Sequence, residues 1–110
     1  MNFSFSQKKC VPCDGAMPSL NKNSIEDFLK RLKKPWELVE NKKIKFRFVF
    51  RTFKEAIVFV SKVATLAENE NHHPNIFIAY NKVTITCTTH AIGGLSENDF
   101  ILASKIEHLI

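Results

Sequence analysis

Apolar residues recur along this chain with two periods, one typical of a β-strand and one typical of an α-helix. The clearest strand signal lies at residues 44–50, where Ile and Phe alternate with Lys, Arg and Val. Shorter runs at residues 36–39, 76–80 and 83–89 predict three further strands. Short polar segments separate the strands of each pair, which predicts two antiparallel hairpins.

Three other segments carry apolar residues at helical spacing, and each opens with a pair of residues typical of a helix N-terminus. These pairs are Ser24 with Asp27, Thr52 with Glu55, and Ser96 with Asp99. The predicted inner faces are Ile25, Phe28, Leu29 and Leu32 in the first helix; Phe53, Ala56, Ile57, Val60, Val63, Ala64 and Ala67 in the second; and Phe100, Ala103, Ile106 and Leu109 in the third.

The resulting order, α-β-β-α-β-β-α, predicts an α+β fold in which a four-stranded antiparallel sheet carries three helices on one face. The second helix is expected to end near Asn69 or Asn71. Residues 1–22 show no periodicity and are expected to form a flexible N-terminal arm, which leaves residues 23–110 as a single domain.

The size and composition of the chain favour self-association. The chain has 110 residues, of which 45% are hydrophobic and ten are Phe. A domain this small exposes much of its surface, so ten phenylalanines are difficult to bury in one layer of helices on one sheet. We therefore expect a homodimer or homotetramer that uses the open sheet face or a sheet edge.

The chain is basic, with a formal net charge of +5 and ten of its sixteen Lys and Arg residues between positions 30 and 54. Such a patch either attracts an anionic partner or keeps a surface solvated. Residues 45–50 superficially resemble the aromatic strand of an RNA-recognition motif, but the expected glycine is missing. Because alternation turns the phenylalanines towards the helices, a solvated face is favoured over nucleic-acid binding.

The three cysteines do not form a disulfide framework. Cys10 and Cys13 are a single C-x-x-C motif near the N-terminus, and Cys87 occupies an apolar position of a predicted strand. A structural zinc site needs about four ligands and no second motif completes one, so flexible, reduced thiols are expected. No apolar run approaches the length of a membrane span, and a cytoplasmic location is expected.

Three of the four histidines lie at positions suited to chemistry. His72 and His73 follow the second helix and His90 follows the fourth strand, whereas His108 is expected on the surface of the last helix. Imidazoles titrate near neutral pH, so such a group can supply both a proton donor and a proton acceptor. Pro74 favours an extended backbone that points the first two rings to opposite sides, which argues against a shared metal ion.

The residues by themselves leave two interpretations open. The histidines either form a proton-transfer site or are ordinary polar residues at the ends of elements, each satisfied by its own hydrogen bond. Asp99 either orients a histidine or caps the last helix, and its position three residues after Ser96 favours the cap. The chain has no glycine-rich phosphate loop and no Ser-His-Asp order, which argues against covalent catalysis.

Four segments closely resemble the pterin-4a-carbinolamine dehydratase family. They are ENENHHP at residues 68–74, YNKVTIT at 80–86, Thr89-His90, and GLSEND at 94–99. The resemblance implies the α+β fold already predicted and a tetramer built as a dimer of dimers. It also implies dehydration of 4a-hydroxytetrahydrobiopterin to quinonoid dihydrobiopterin and water in tetrahydrobiopterin recycling, with no metal or other cofactor.

The resemblance also implies a set of site residues. His72 and His90 would act as acid and base from either side of the pterin, while His73 binds and orients it. Glu68 and Asp99 would be supporting acids. The family pattern is broken at Ile76, where a Trp is common, and at Asn98, where an Arg is common. The implied substrate-binding residues are Asn71, His72, His73, Thr88, Thr89, His90 and Ala91.

A protein-interaction role is the alternative to enzymatic activity. Animal members of the family that this chain resembles also serve as dimerisation cofactors of a homeodomain transcription factor, a role that would place the protein in the nucleus as well. No residue of this sequence selects for that role.

Overall fold

The computed structural model describes residues 5–11 and 19–110 and confirms the predicted order of helices and strands. Short 3-10 turns at Phe5–Gln7 and His90–Ile92 accompany the main elements. These elements are α1 (Lys22–Arg31), β1 (Glu37–Val39), β2 (Lys43–Val49), α2 (Phe53–Glu70), β3 (Asn75–Ala79), β4 (Lys82–Cys87) and α3 (Glu97–Glu107).

The four strands form one antiparallel sheet in the order β1-β2-β4-β3. The central pair runs from Ile44 opposite Cys87 to Val49 opposite Lys82. Alternation then divides the sheet as predicted, because one face carries buried Ile, Phe and Val side chains and the other carries Lys, Arg and Thr. The helices pack on the apolar face, and none in the described residues is long and apolar enough to cross a membrane.

Helix α2 begins and ends where the sequence predicts, but its buried face differs from the prediction. The Thr52 side chain accepts a hydrogen bond from the Glu55 N–H at 3.1 Å, and Asn71 ends the helix in the left-handed conformation. Phe59 is only 3% exposed, whereas Phe53 is 50% exposed and Ala64 is also exposed. Apolar residues surround most of this helix, so its pattern does not identify which side meets the sheet.

Helix α1 begins earlier than predicted. Asn21, not Ser24, is the cap, and its side chain accepts the Ser24 N–H at 2.8 Å. Asp27 instead forms an ion pair with Arg31 one turn later, at 3.0 Å. Both Asn and Ser are good capping residues, and the tertiary contact of Leu20 N–H with the Leu95 carbonyl at 2.9 Å fixes which of them lies at the helix end.

The described part of the predicted flexible arm is packed against the domain. We call residues 5–11 the N-terminal strap. Phe5 is buried, with ring centroids 5.0 Å from Phe28 and 6.1 Å from Phe100. Cys10 is buried too, so the strap is packed where the sequence predicted a flexible segment. Cys13 lies outside the described residues.

Nine of the eleven residues of α3 are buried, because α2, β4 and the strap surround this helix. Its polar residues therefore need partners inside the protein. At its C-terminal end the Glu107 carboxylate accepts the N–H groups of Lys33 and Lys34, at 3.0 and 2.7 Å, and Nε1–H of Trp36 at 2.8 Å. At its N-terminal end the Asp99 carboxylate likewise accepts several hydrogen bonds, and these lie at the candidate site.

Candidate active site

The candidate site is formed where α2 ends, β4 ends and α3 begins. Asn71 turns the chain out of α2, and the following N–H, that of His72, bonds back to the Ala67 carbonyl at 3.2 Å. This turn brings the His72 side chain to the N-terminus of α3. Its Nε2 lies 2.7 Å from Oδ1 of Asp99, a residue 27 positions further along the chain.

Asp99 is fully buried, with 0% of its side chain exposed, and the His72 side chain is 10% exposed. The second carboxylate oxygen of Asp99, Oδ2, accepts the Ser96 N–H at 3.0 Å and the Thr89 hydroxyl at 2.8 Å. Oδ2 therefore completes the predicted capping box while Oδ1 holds the histidine. Asp99 thus makes both the contact with a histidine and the contact of a helix cap.

The donors around Asp99 define the orientation of the neighbouring hydroxyls. Since the Thr89 hydroxyl has one proton and donates it to Asp99, the Ser96 hydroxyl, 2.8 Å away, donates to Thr89. Ser96 therefore supports the carboxylate through both its N–H and its side chain. The importance of this hydroxyl was missed in the sequence, where Ser96 is visible only as a helix cap.

The same carboxylate defines the tautomer of His72. An ionised Asp99 can only accept, so the His72 proton is assigned to Nε2 and the lone pair to Nδ1. Nδ1 has no hydrogen-bond partner among residues 5–11 and 19–110. A ring held in this way presents a proton acceptor of fixed orientation.

His90 lies next to this network in the chain. It follows Thr89, whose backbone forms a bridge with Gly94: the Thr89 N–H donates to the Gly94 carbonyl at 2.9 Å. Gly94 lies close to Ser19, because a Cβ at position 94 would be 3.1 Å from Cβ of Ser19, a tight contact. His90 itself is exposed at the start of the 3-10 turn, where a ligand can reach its ring.

His73 differs from His72 in exposure, as the extended backbone before Pro74 predicts. Its side chain is 54% exposed, and its Nε2 lies 3.7 Å from Oε2 of Glu68, which is even more exposed. An ion pair of this length in solvent is weak. Of the two predicted supporting acids, Asp99 is therefore buried and hydrogen-bonded, whereas Glu68 is exposed at the surface.

The remaining predicted site residues differ in burial. Asn71 and Ala91 are exposed, whereas Thr88 is buried and its hydroxyl donates to the Lys42 carbonyl at 2.7 Å. Ile76, one of the two departures from the family pattern, is part of the apolar sheet face. Asn98, the other departure, is 2% exposed and bonds to the strap.

The two described cysteines are protonated, buried thiols. Burial, followed by the neighbouring Glu70 carboxylate, raises the pKa of Cys10 to about 12. Burial also raises the pKa of Cys87 well above its ordinary value. Within residues 5–11 and 19–110, no group of three His, Cys, Asp or Glu side chains is arranged to hold a metal ion.

Fold and site together define a small α+β protein with a carboxylate-oriented histidine, and comparison with known proteins gives its family. Residues 18–109 match the family described as Pterin 4 alpha carbinolamine dehydratase. The chain belongs to the pterin-4a-carbinolamine dehydratase family, as its sequence motifs predict.

Relatives match along nearly their whole length. A protein of Nitrosomonas eutropha, provisionally named pterin-4-alpha-carbinolamine dehydratase, is 43% identical over 105 residues, covering 96% of this chain and 92% of that one. One of Nitrosospira multiformis with the same provisional name is 45% identical over 102 residues, covering 93% and 88%.

Two solved structures share the fold. A transcriptional coactivator/pterin dehydratase from Brucella melitensis is 33% identical, covers 83% of this chain and 97% of its own, and has a TM-score of 0.78. A pterin dehydratase-like protein identified as a RuBisCO assembly factor in the alpha-carboxysome is 25% identical, covers 67% and 87%, and has a TM-score of 0.59.

Proposed function

We propose that this protein dehydrates 4a-hydroxytetrahydrobiopterin to quinonoid dihydrobiopterin. The observation that carries the proposal is the partly buried hydrogen bond between His72 and Asp99, which leaves Nδ1 of the ring available to a ligand. Family membership supplies the substrate class. The same proposal places the protein in tetrahydrobiopterin recycling, in the cytoplasm, as a homotetramer.

The reaction needs one proton acceptor and one proton donor. The C4a–O bond of the substrate breaks as the lone pair of the adjacent ring nitrogen forms a carbon–nitrogen double bond, and the nitrogen loses its proton. An acid protonates the leaving oxygen, so water departs and the pterin is neither oxidised nor reduced. Two imidazoles can exchange these protons, and the proposed reaction requires no metal or cofactor.

His72 and His90 are the proposed acid/base pair. The Asp99 carboxylate stabilises a positive charge on His72, so this ring can take up a proton during the reaction and return it afterwards. His90 is exposed and follows Thr89, which shares the Asp99 carboxylate with His72. His73 is proposed to bind and orient the pterin from the exposed side, with the other substrate-binding residues around it.

Stopped-flow kinetics of freshly generated 4a-hydroxytetrahydropterin test the proposal, with the ultraviolet signal of the quinonoid product as the readout. Wild type should accelerate dehydration with or without a chelator, and His72→Ala or His90→Ala should lower kcat by about 10²-fold or more. His108→Ala is the matched control, since that ring bonds to the Ser104 carbonyl at the other end of α3. Near-normal turnover in both site variants would contradict the assignment.

A protein-interaction role is the second candidate, and two solved relatives favour it. One is called a transcriptional coactivator as well as a pterin dehydratase, and the other a RuBisCO assembly factor. Wild-type protein that does not accelerate dehydration, but forms a stable mixed complex with a protein of its own organism, would support this role instead. Size-exclusion chromatography with light scattering measures such a complex.

A further inference from the structure

The N-terminal strap connects the two helix ends that carry the candidate site. We propose that the strap, through Asn98, is a positioning element that holds His72 in its hydrogen bond with Asp99. The inference deepens the proposed function and rests on it for its kinetic part. Its structural part concerns the state of the His72 ring and can be tested without any pterin.

On the α3 side, Asn98 holds the backbone of Val11 with two hydrogen bonds. Its Oδ1 accepts the Val11 N–H at 3.0 Å, and its Nδ2–H donates to the Val11 carbonyl at 2.7 Å. Lys8 forms an ion pair with Glu97, one residue before Asn98. The Cys10 thiol donates to the Asn98 carbonyl at 3.6 Å. The strap is thus bonded to the two residues that precede Asp99.

On the α2 side, the strap is bonded to the end of the helix that precedes His72. The Cys10 N–H donates to Oε1 of Glu70 at 2.8 Å, and Lys9 Nζ donates to the Asn69 carbonyl at 3.2 Å. Oε2 of Glu70 accepts from Lys105 of α3 at 2.7 Å. Glu70 is buried, and a buried carboxylate with two such partners has a fixed position.

These contacts join the end of α2 to the beginning of α3, as the hydrogen bond between His72 and Asp99 does. Glu70 lies two positions before His72, and Asn98 lies one position before Asp99. The strap bonds to Glu70 through Cys10 and to Asn98 through Val11, which are adjacent residues. A displacement of about 1 Å can remove much of the advantage of an oriented group. A strap that fixes the distance between these two helix ends therefore fixes the position of His72 relative to Asp99.

Two variants break the strap contact from opposite sides. Asn98→Ala removes both bonds to Val11, and Val11→Pro removes the N–H donor at an exposed position while leaving α3 unchanged. If the buried Asn98 substitution prevents folding, the Val11 variant still tests the idea. Faster alkylation of Cys10 in the folded variants reports that the strap has been released.

The decisive readout is the imidazole of His72 in two-dimensional nitrogen–proton NMR spectra. Wild type should show the Nε2–H tautomer with a slowly exchanging proton, and both variants should lose that signal at temperatures where circular dichroism shows them folded. With pterin, kcat should fall by roughly tenfold while KM stays within about twofold. A purely stabilising strap would lower Tm and leave the His72 signal intact.

Glu107→Gln is the matched control, because it weakens buried hydrogen bonds at the opposite end of α3. Its Tm should fall without any change at His72. An unchanged His72 signal in both strap variants, with Cys10 released, would overturn the inference. A wild type that does not dehydrate pterin but responds as expected in the spectra would contradict the proposed function and support the positioning role.

Discussion

At the scale of single residues, the state of the His72 ring depends on one carboxylate. Asp99 accepts from His72, from Thr89 and from the Ser96 N–H, and none of its surface reaches solvent. A carboxylate that accepts from all these donors keeps the proton of His72 on Nε2. The tautomer of the proposed base is thus a consequence of how α3 begins.

Asp99→Asn tests this dependence with almost no change in shape. The amide can turn its NH₂ towards His72, which places the ring proton on Nδ1 and removes the acceptor that the substrate needs. We expect kcat to fall by roughly tenfold or more, with a smaller change in KM. Steady-state kinetics measure both constants. His108→Ala, at the other end of α3, is the control, and equal losses in the two variants would contradict the argument.

Glu70 gives a prediction for stability against pH. Burial on its own would raise the pKa of Glu70, but hydrogen bonds from Lys105 and from the Cys10 N–H outweigh it and hold that pKa below the ordinary 4.5. A lowered folded-state pKa stabilises the native state above the unfolded pKa, and this contribution is lost as pH falls through the folded pKa.

Urea unfolding of wild type at pH 7 and at about pH 3 should therefore show a loss of unfolding free energy that is smaller in Glu70→Gln. The Gln side chain carries no ionisable proton, so its weaker contacts do not depend on pH. Glu26→Gln, at an exposed position of α1, should behave like wild type. The same acid sensitivity in Glu70→Gln would mean that other carboxylates control the transition.

At the scale of elements, buried carboxylates join pieces of chain that are far apart in sequence. Glu107 holds the segment between α1 and β1 against the end of α3, and Glu70 holds the strap against the end of α2. Both are charged residues among buried neighbours, and each is satisfied by several donors. Glu70 thereby holds the end of α2 that carries the site, whereas Glu107 holds the end of α3 opposite the site.

Glu107→Ala measures one of these connections. The substitution leaves Nε1–H of the buried Trp36 and two backbone N–H groups without their acceptor, so we expect a loss of about 2–4 kcal/mol in the free energy of unfolding. Urea denaturation provides the value. Glu37→Ala, which breaks an exposed ion pair with Lys45, should cost less than about 1 kcal/mol. Similar losses in the two variants would contradict the role of burial.

At the scale of the whole molecule, one edge of the sheet has the features of an association surface. β3 is an edge strand, and its sequence NIFIA contains neither a charge nor a proline. Phe77 and Ile78 on this strand are exposed. An uncharged, apolar edge with unpaired backbone groups normally pairs with another strand or is covered. We therefore expect the predicted homo-oligomer to form through the β3 edge.

Light scattering after size-exclusion chromatography should show a mass that is a multiple of the 12.6 kDa chain. Phe77→Lys should lower that mass, because a lysine on an edge strand disfavours pairing. Val49→Lys is the control: Val49 is equally apolar and exposed but lies on the interior strand β2. A monomeric wild type, or equal effects of both variants, would contradict association through this edge.

Local patterns determined much of the fold. Alternation in residues 44–50 identified the strand and its inner face, and the pairs at Thr52 and Ser96 identified the beginnings of α2 and α3. These features depend on residues two to four positions apart, which is the range over which periodicity carries information. The His72 and His90 motifs, read through the family resemblance, pointed to the region where Asp99 connects α2, β4 and α3.

Other features were decided only by tertiary structure. The buried side of α2, the capping of α1 by Asn21, and the burial of the strap all depend on what lies opposite each segment. The same is true of the double role of Asp99. Cys10 meets Glu70 across 60 positions and Val11 meets Asn98 across 87. Contacts at such separations leave no local pattern in a single sequence, because each partner is chosen by the fold and not by its neighbours in the chain.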